Sequence, residues 1–261
     1  MNQPNKIGIL GTGLIGGSIA KGIKMRRPEV HIASLARECA DLERAVEEKA
    51  VDTLFSTWEE LIEFCDWIIL ATPLSSLASL AEEIARRCPK EKKLLVIDVG
   101  SVKKAVFPTF ETLTTENLNF LSTHPMAGRE KWGFAHSDPH LFQGCCWILS
   151  PHAKNRKSVV EAAAEFVEGL GARHQILDPL EHDKRVAMVS HFPALLSRLL
   201  LEFVEGQDEA ALESAGPGFH SMTRLAKDNP RLQEEIGAFN SEEISSQLAK
   251  WIKFLEKKEE V

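Results

Sequence analysis

The chain has 261 residues, 44% hydrophobic and 26% charged, with a net charge of −7 and a pI of about 5.8. This length supports one large or two modest domains with real cores, and the acidic balance gives a phosphate-backbone partner no electrostatic help, so no nucleic-acid partner is expected. No membrane partner is expected either, because no apolar run approaches the roughly 20 residues that span a bilayer.

The N-terminus lacks a signal peptide's basic-then-apolar layout. The five cysteines include adjacent Cys145-Cys146 but no CxxC pair. An odd, scattered set suggests reduced thiols and a cytoplasmic location.

In chain order, Ile7–Leu10 reads as a buried strand and Leu14–Ile23 as an apolar helix, with Gly11, Gly13 and Gly16 between them at GxGxxG spacing. Gly11 allows the tight turn, Gly13 lets the backbone approach a pyrophosphate, and Gly16 lets helix and strand pack closely. The anion then sits on free N–H groups in the first helical turn, which Leu14 and Ile15 open. A strand before the motif and a helix after it make this a dinucleotide site rather than a structural glycine turn.

Val30–Ser34 reads as a second strand. The ribose-binding carboxylate of a Rossmann unit is due near Ala36. No acid lies between Val30 and Arg37; Ser34 and Arg37 stand there instead. An arginine where a 2′-phosphate would go favours NADP over NAD, while Glu38, one residue on, is the feature that would serve NAD.

Residues 40–50 read as an amphipathic helix with a solvated outer face. Trp67–Ala71 is the third core strand, ended by Thr72-Pro73, where the backbone turns toward the cofactor. Leu77–Arg87 is helical, Leu94–Ile97 is the fourth strand, Leu118–Leu121 the fifth and Cys146–Leu149 the sixth. Strands alternating with helices at this pitch give an α/β, Rossmann-type, doubly wound parallel sheet. Ser101 and His124 fall just beyond strand C-termini, where such sheets bind ligands. The structural alternatives are an N-cap at Ser101 before a helix from Val102, and a turn residue at His124 held by Pro125.

Ser158–Gly169 reads as a helix and Arg173–Leu177 as a strand. Beyond Asp178-Pro179 everything reads as helical, with Val186, Val189, Leu196, Leu199, Leu200 and Phe203 forming an apolar stripe. The expected domains are residues 1–178, dinucleotide-binding, and 179–261, helical. So small a helical domain with so broad an apolar stripe points to a homodimer. The nine histidines show no metal-ligand spacing, so no metal is expected.

Several segments together resemble one family, the prephenate/arogenate (cyclohexadienyl) dehydrogenases of tyrosine biosynthesis. They are 11–20, Ala71-Thr-Pro73, Asp98-Val-Gly-Ser-Val-Lys103, His124-Pro-Met-Ala-Gly-Arg-Glu130, Glu181-His-Asp183, Val189-Ser-His-Phe-Pro193 and 215–226. The resemblance covers nearly the whole chain in order. It implies a Rossmann domain plus a helical dimerisation domain, a nicotinamide cofactor, and oxidative decarboxylation of prephenate or arogenate. It also implies His124 as the base that accepts the ring hydroxyl proton and Ser101 as the residue orienting it. Arg224 is implied as a carboxylate-binding fork and His191 as a second active-site histidine.

Ala194, His220 and Arg129 depart from the family pattern near the expected substrate pocket, which leaves prephenate against arogenate open. An appended mutase or tyrosine-sensing domain is not expected, so feedback control would act at the active site. Two rivals share part of the pattern: a hydroxyacid or pyrroline-carboxylate type reductase, and a catalytically silent dinucleotide sensor. The first does not predict His124-Pro-Met-Ala-Gly together with Ser190-His-Phe-Pro; the second predicts cofactor binding without turnover, and intact Ser101, His124 and Arg224 argue against it.

Overall fold

The computed structural model describes residues 3–259 and divides after Pro179 into two compact units. Glu260 and Val261, the end of the charged tail, lie outside the described residues.

The first unit is built on eight strands: β1 (Lys6–Leu10), β2 (His31–Leu35), β3 (Thr53–Phe55), β4 (Trp67–Leu70), β5 (Leu94–Asp98), β6 (Leu118–Pro125), β7 (Cys146–Ser150) and β8 (Arg173–Ile176). Their order in the sheet is β3-β2-β1-β4-β5-β6-β7-β8. The inner strands are near-continuous apolar runs because both of their faces are covered. In register, Ile9 sits opposite Ile69 and Ile97 opposite Leu121. The core closes with Trp67 against Phe166 at 5.3 Å and Phe142 against Trp147 at 4.8 Å between ring centroids.

The helices of this unit are α1 (Leu14–Arg26), α2 (Ala40–Glu47), α3 (Trp58–Phe64), α4 (Leu74–Arg87), α5 (Phe107–Leu113) and α6 (Lys157–Gly169). Three features differ from the sequence expectation. First, β3 and α3 went unforeseen: β3 is three residues long at the sheet edge, although α3 carries a Thr57–Glu60 capping box. Second, β7 runs antiparallel to β6, so the sheet is mixed rather than wholly parallel. Third, this antiparallel pairing extends β6 to Pro125, which puts His124 inside a strand, opposite Ile148, rather than beyond its end.

The second unit is helical. It begins with α7 (Pro179–Val186), a π-turn over Ala187–His191 and α8 (Phe192–Gln207), which form one run. Pro193 explains the π-turn. It has no N–H to donate and its ring crowds the carbonyl four residues back, so the helix widens there. The N–H of Phe192 reaches Ala187, five residues back. By length and composition alone this 29-residue run could cross a membrane, contrary to the expectation from uninterrupted apolar runs. A core helix of a helical unit meets the same criterion, so the feature has little weight. α9 (Pro217–Met222), a 3₁₀ turn over Arg224–Lys227, α10 (Pro230–Phe239) and α11 (Ser241–Glu259) complete the unit.

Candidate active site

The order β3-β2-β1-β4-β5-β6 reverses direction between β1 and β4, and ligands of such sheets bind outside the strand C-termini at that switch. The glycine turn lies there. Gly11 has φ +92°, and a Cβ on it would stand 2.4 Å from the Ala71 carbonyl oxygen. A Cβ on Gly16 would stand 1.9 Å from the Gly11 carbonyl oxygen. Above Gly13 the nearest atom to such a Cβ is Asp41 Oδ2 at 4.0 Å, which leaves open space.

Helix α1 has no side-chain cap and no acidic residue in its first turn. The N–H groups that Leu14 and Ile15 open are therefore available to a phosphate. A cradle that side chains would fill, at an uncapped helix N-terminus, fits a dinucleotide. Gly16→Ala is expected to push α1 off β1, costing about 1–3 kcal/mol and most of the dinucleotide affinity. Thermal melting and cofactor titration check this, and unchanged binding would remove the glycine cradle from the site.

Arg37 and Glu38 are exposed beyond β2. Ser34 is different: it is buried, and its hydroxyl donates to the Ile9 carbonyl at 2.7 Å. Its one hydroxyl hydrogen thus stitches β2 to β1 and is not offered to a ribose. Pro73 precedes the first turn of α4, and Thr72 Oγ1 accepts from Ser76 at 2.8 Å, which shapes the turn after β4.

Ser101 sits on the loop after β5, and His124 on the neighbouring strand β6, 8% exposed. Residues 101–106 form turns and the helix starts only at Phe107, so Ser101 is not an N-cap. Behind both residues lies a buried network that sequence reasoning missed. Lys103 and Asp98 are fully buried, and Lys103 Nζ donates to Asp98 Oδ2 at 2.6 Å and to the Thr123 carbonyl at 2.5 Å. The N–H groups of Gly100 and Thr123 donate to the same carboxylate. Thr123 Oγ1 donates to the Asp98 carbonyl and accepts from Trp147 Nε1. The loop bearing Ser101 is thereby pinned to the strand bearing His124. Asp98 and Lys103 bracket Ser101 in a single hexapeptide, and that spacing was the available signal.

In the helical unit, His191 ends the π-turn and is 3% exposed. Burial pushes its pKa down to about 4; the Asp183 carboxylate pulls it up and His182 pushes it further down. Asn240 Nδ2 lies 3.1 Å from His191 Nδ1 and donates to the Asp183 carbonyl at 3.0 Å. His182 Nδ1 and Asp183 Oδ1 are 2.7 Å apart, both residues buried. Arg224 opens an exposed 3₁₀ turn held to α8 by Ser197 Oγ, which accepts from Ala226 N at 3.0 Å.

His191, Ala194, Leu225 and Ala226 line one cavity of about 80 Å³. The structure thus brings His191 and the Arg224 turn to the same hollow. Of the other departures from the family pattern, His220 is exposed on α9 and Arg129 is exposed and paired with Asp138. Among the described residues no group of histidine, cysteine and acidic side chains could hold a metal.

Residues 19–176 match the family model for the nucleotide-binding domain of prephenate dehydrogenase, and 178–261 the model for its dimerization domain. A prephenate dehydrogenase of Bacillus subtilis is 30% identical over 98% of this chain and 70% of its own length. The crystal structure of an Aquifex aeolicus prephenate dehydrogenase, in complex with hydroxyphenyl propionate and NAD+, superposes with a TM-score of 0.88. That pair shares 26% identity and covers 100% of this chain and 90% of the other. A Synechocystis arogenate dehydrogenase superposes with a TM-score of 0.80 at 26% identity, covering 97% and 90%.

Proposed function

The chain belongs to the prephenate dehydrogenase family, and on that premise we propose that it carries out nicotinamide-dependent oxidative decarboxylation of prephenate or arogenate. The observation that carries the proposal is the pair of family models spanning both units, on a fold whose switch point holds an uncapped glycine cradle. The bound nicotinamide supplies the hydride acceptor, held by the turn from Gly11 to Gly16 and by the Thr72-Pro73 corner.

His124 accepts the proton of the ring hydroxyl, and Ser101, pinned to the same strand pair, orients that hydroxyl. Arg224 offers a rigid fork that suits a substrate carboxylate. His191 contributes a polar contact from a buried, neutral ring. Residues 1–178 form the dinucleotide-binding domain and 179–261 the substrate and dimerisation domain. Met188, Val189, Phe203, Trp251 and Phe254 are large, exposed apolar side chains of the helical unit. A second copy of the chain would cover them, which supports a homodimer. All five cysteines are free, and burial raises the thiols of Cys65 and Cys145 to about 12 and about 11. Such inert thiols support a reducing, cytoplasmic setting.

NADP is the proposed cofactor, on the strength of Arg37 exposed at the ribose end with no acid from Val30 to Arg37. Arg37→Ala is then expected to weaken NADP binding about tenfold or more, the value of a charge-assisted hydrogen bond, with NAD nearly unchanged. An unaltered ratio of the two affinities would end the NADP reading. The reaction itself is tested by initial rates in four combinations, prephenate or arogenate with NAD+ or NADP+, followed by nicotinamide absorbance. Turnover in one combination names substrate and cofactor together; silence in all four, with cofactor bound, overturns the proposed reaction.

A further inference from the structure

The contacts of Asn240 fix the protonation pattern of His191. A backbone carbonyl only accepts hydrogen bonds, so the amide nitrogen of Asn240, not its oxygen, faces the Asp183 carbonyl at 3.0 Å. That orientation decides which end of the amide meets His191: the same Nδ2, at 3.1 Å from Nδ1. An amide NH₂ has two hydrogens and no acceptor. One hydrogen goes to Asp183 and the other to His191, so Nδ1 accepts and carries no proton. The ring hydrogen of the neutral imidazole is therefore on Nε2.

Nε2 is buried and meets no hydrogen-bond partner, although His191 lines the cavity beside the Arg224 turn. A buried donor left without an acceptor is costly, and the cost is removed when an oxygen arrives. The titratable groups around the ring are Asp183 and His182 on α7 and Arg198 of α8 on the cavity wall. Burial outweighs the Asp183 carboxylate, so the ring is neutral at physiological pH.

We propose that Asn240 is a positioning residue that locks His191 as a neutral Nε2–H donor, and that this donor binds a carboxylate or carbonyl oxygen of the substrate and takes no proton. The second limb rests on the functional reading above, in which His191 meets substrate and His124 is the base.

The test is long-range proton–nitrogen correlation on the full-length protein carrying ¹⁵N-histidine, with His191 assigned by its absence from His191→Leu. The expected wild-type pattern is protonated Nε2 and bare Nδ1, unchanged between about pH 5 and 9. In Asn240→Asp a carboxylate replaces the amide donor, the proton should move to Nδ1, and the ring should titrate within that range. The wild-type spectrum alone decides the lock, so a variant that fails to fold does not remove the test. A wild-type Nδ1–H form, or titration near the ordinary histidine value, overturns it.

For the second limb, His191→Leu should raise the KM for the accepted substrate about tenfold or more, with kcat less affected, as expected for one lost hydrogen bond to a charged acceptor. The expected tautomer with an unchanged KM would overturn the donor's assignment to substrate while leaving the lock intact.

Discussion

Replacing His124 with asparagine is expected to lower kcat by about 10²–10⁴-fold, the usual contribution of a general base, while cofactor affinity stays nearly unchanged. The asymmetry follows from the sheet. His124 lies on β6, and β4 and β5 separate that strand from β1, which carries the glycine turn. Asparagine is polar and smaller than histidine, so it fits the 8% exposed site without steric conflict, and β6 keeps its pairing with β7 through the backbone. The variant therefore removes a proton acceptor and little else. Steady-state kinetics beside a cofactor titration separate the two quantities. Equal loss of turnover and affinity would identify His124 as a structural residue of β6 and leave the chain without its proposed base.

The part of the site built from local pattern was legible in the sequence. A strand, three glycines at fixed spacing and a helix form one contiguous signal, and in the structure Gly11 and Gly16 leave no room for a Cβ, which is why only glycine is compatible there. Parts that depend on distant pairing were not legible. The extension of β6 through His124 comes from β7, more than twenty residues later, running antiparallel beside it. Ser34 looked like a residue at the ribose end, yet a strand residue near the end of β2 can point inward, and its hydroxyl bonds to β1. Strand β3 is too short to show periodicity. Asn240, lying between α10 and α11, reads as an ordinary helix boundary. Its contacts with Asp183 and His191, 57 and 49 residues away, exist only once the helices pack.

Lys103→Met is expected to destabilise the first unit by about 3–5 kcal/mol, the cost of leaving a buried charge without its partner. For a domain of this size that corresponds to a fall of roughly 6–20 °C in Tm. Lys103 and Asp98 are both inaccessible to solvent, so no water replaces the lost ammonium. The Asp98 carboxylate would keep only the N–H groups of Gly100 and Thr123, and the Thr123 carbonyl would lose its donor. Adding Asp98→Asn should recover part of the loss, because it removes the uncompensated charge while keeping an acceptor oxygen for one of the two N–H groups, which bond to different oxygens of the carboxylate. The functional effect should go further than the thermal one. The pair holds the loop bearing Ser101 against the strand bearing His124, so the double variant should regain Tm without regaining full kcat. If the single variant melts with the wild type, the ammonium is not holding this corner, and the alignment of Ser101 with His124 must rest on the hydrogen bonds that Asp98, Thr123 and Trp147 make without it.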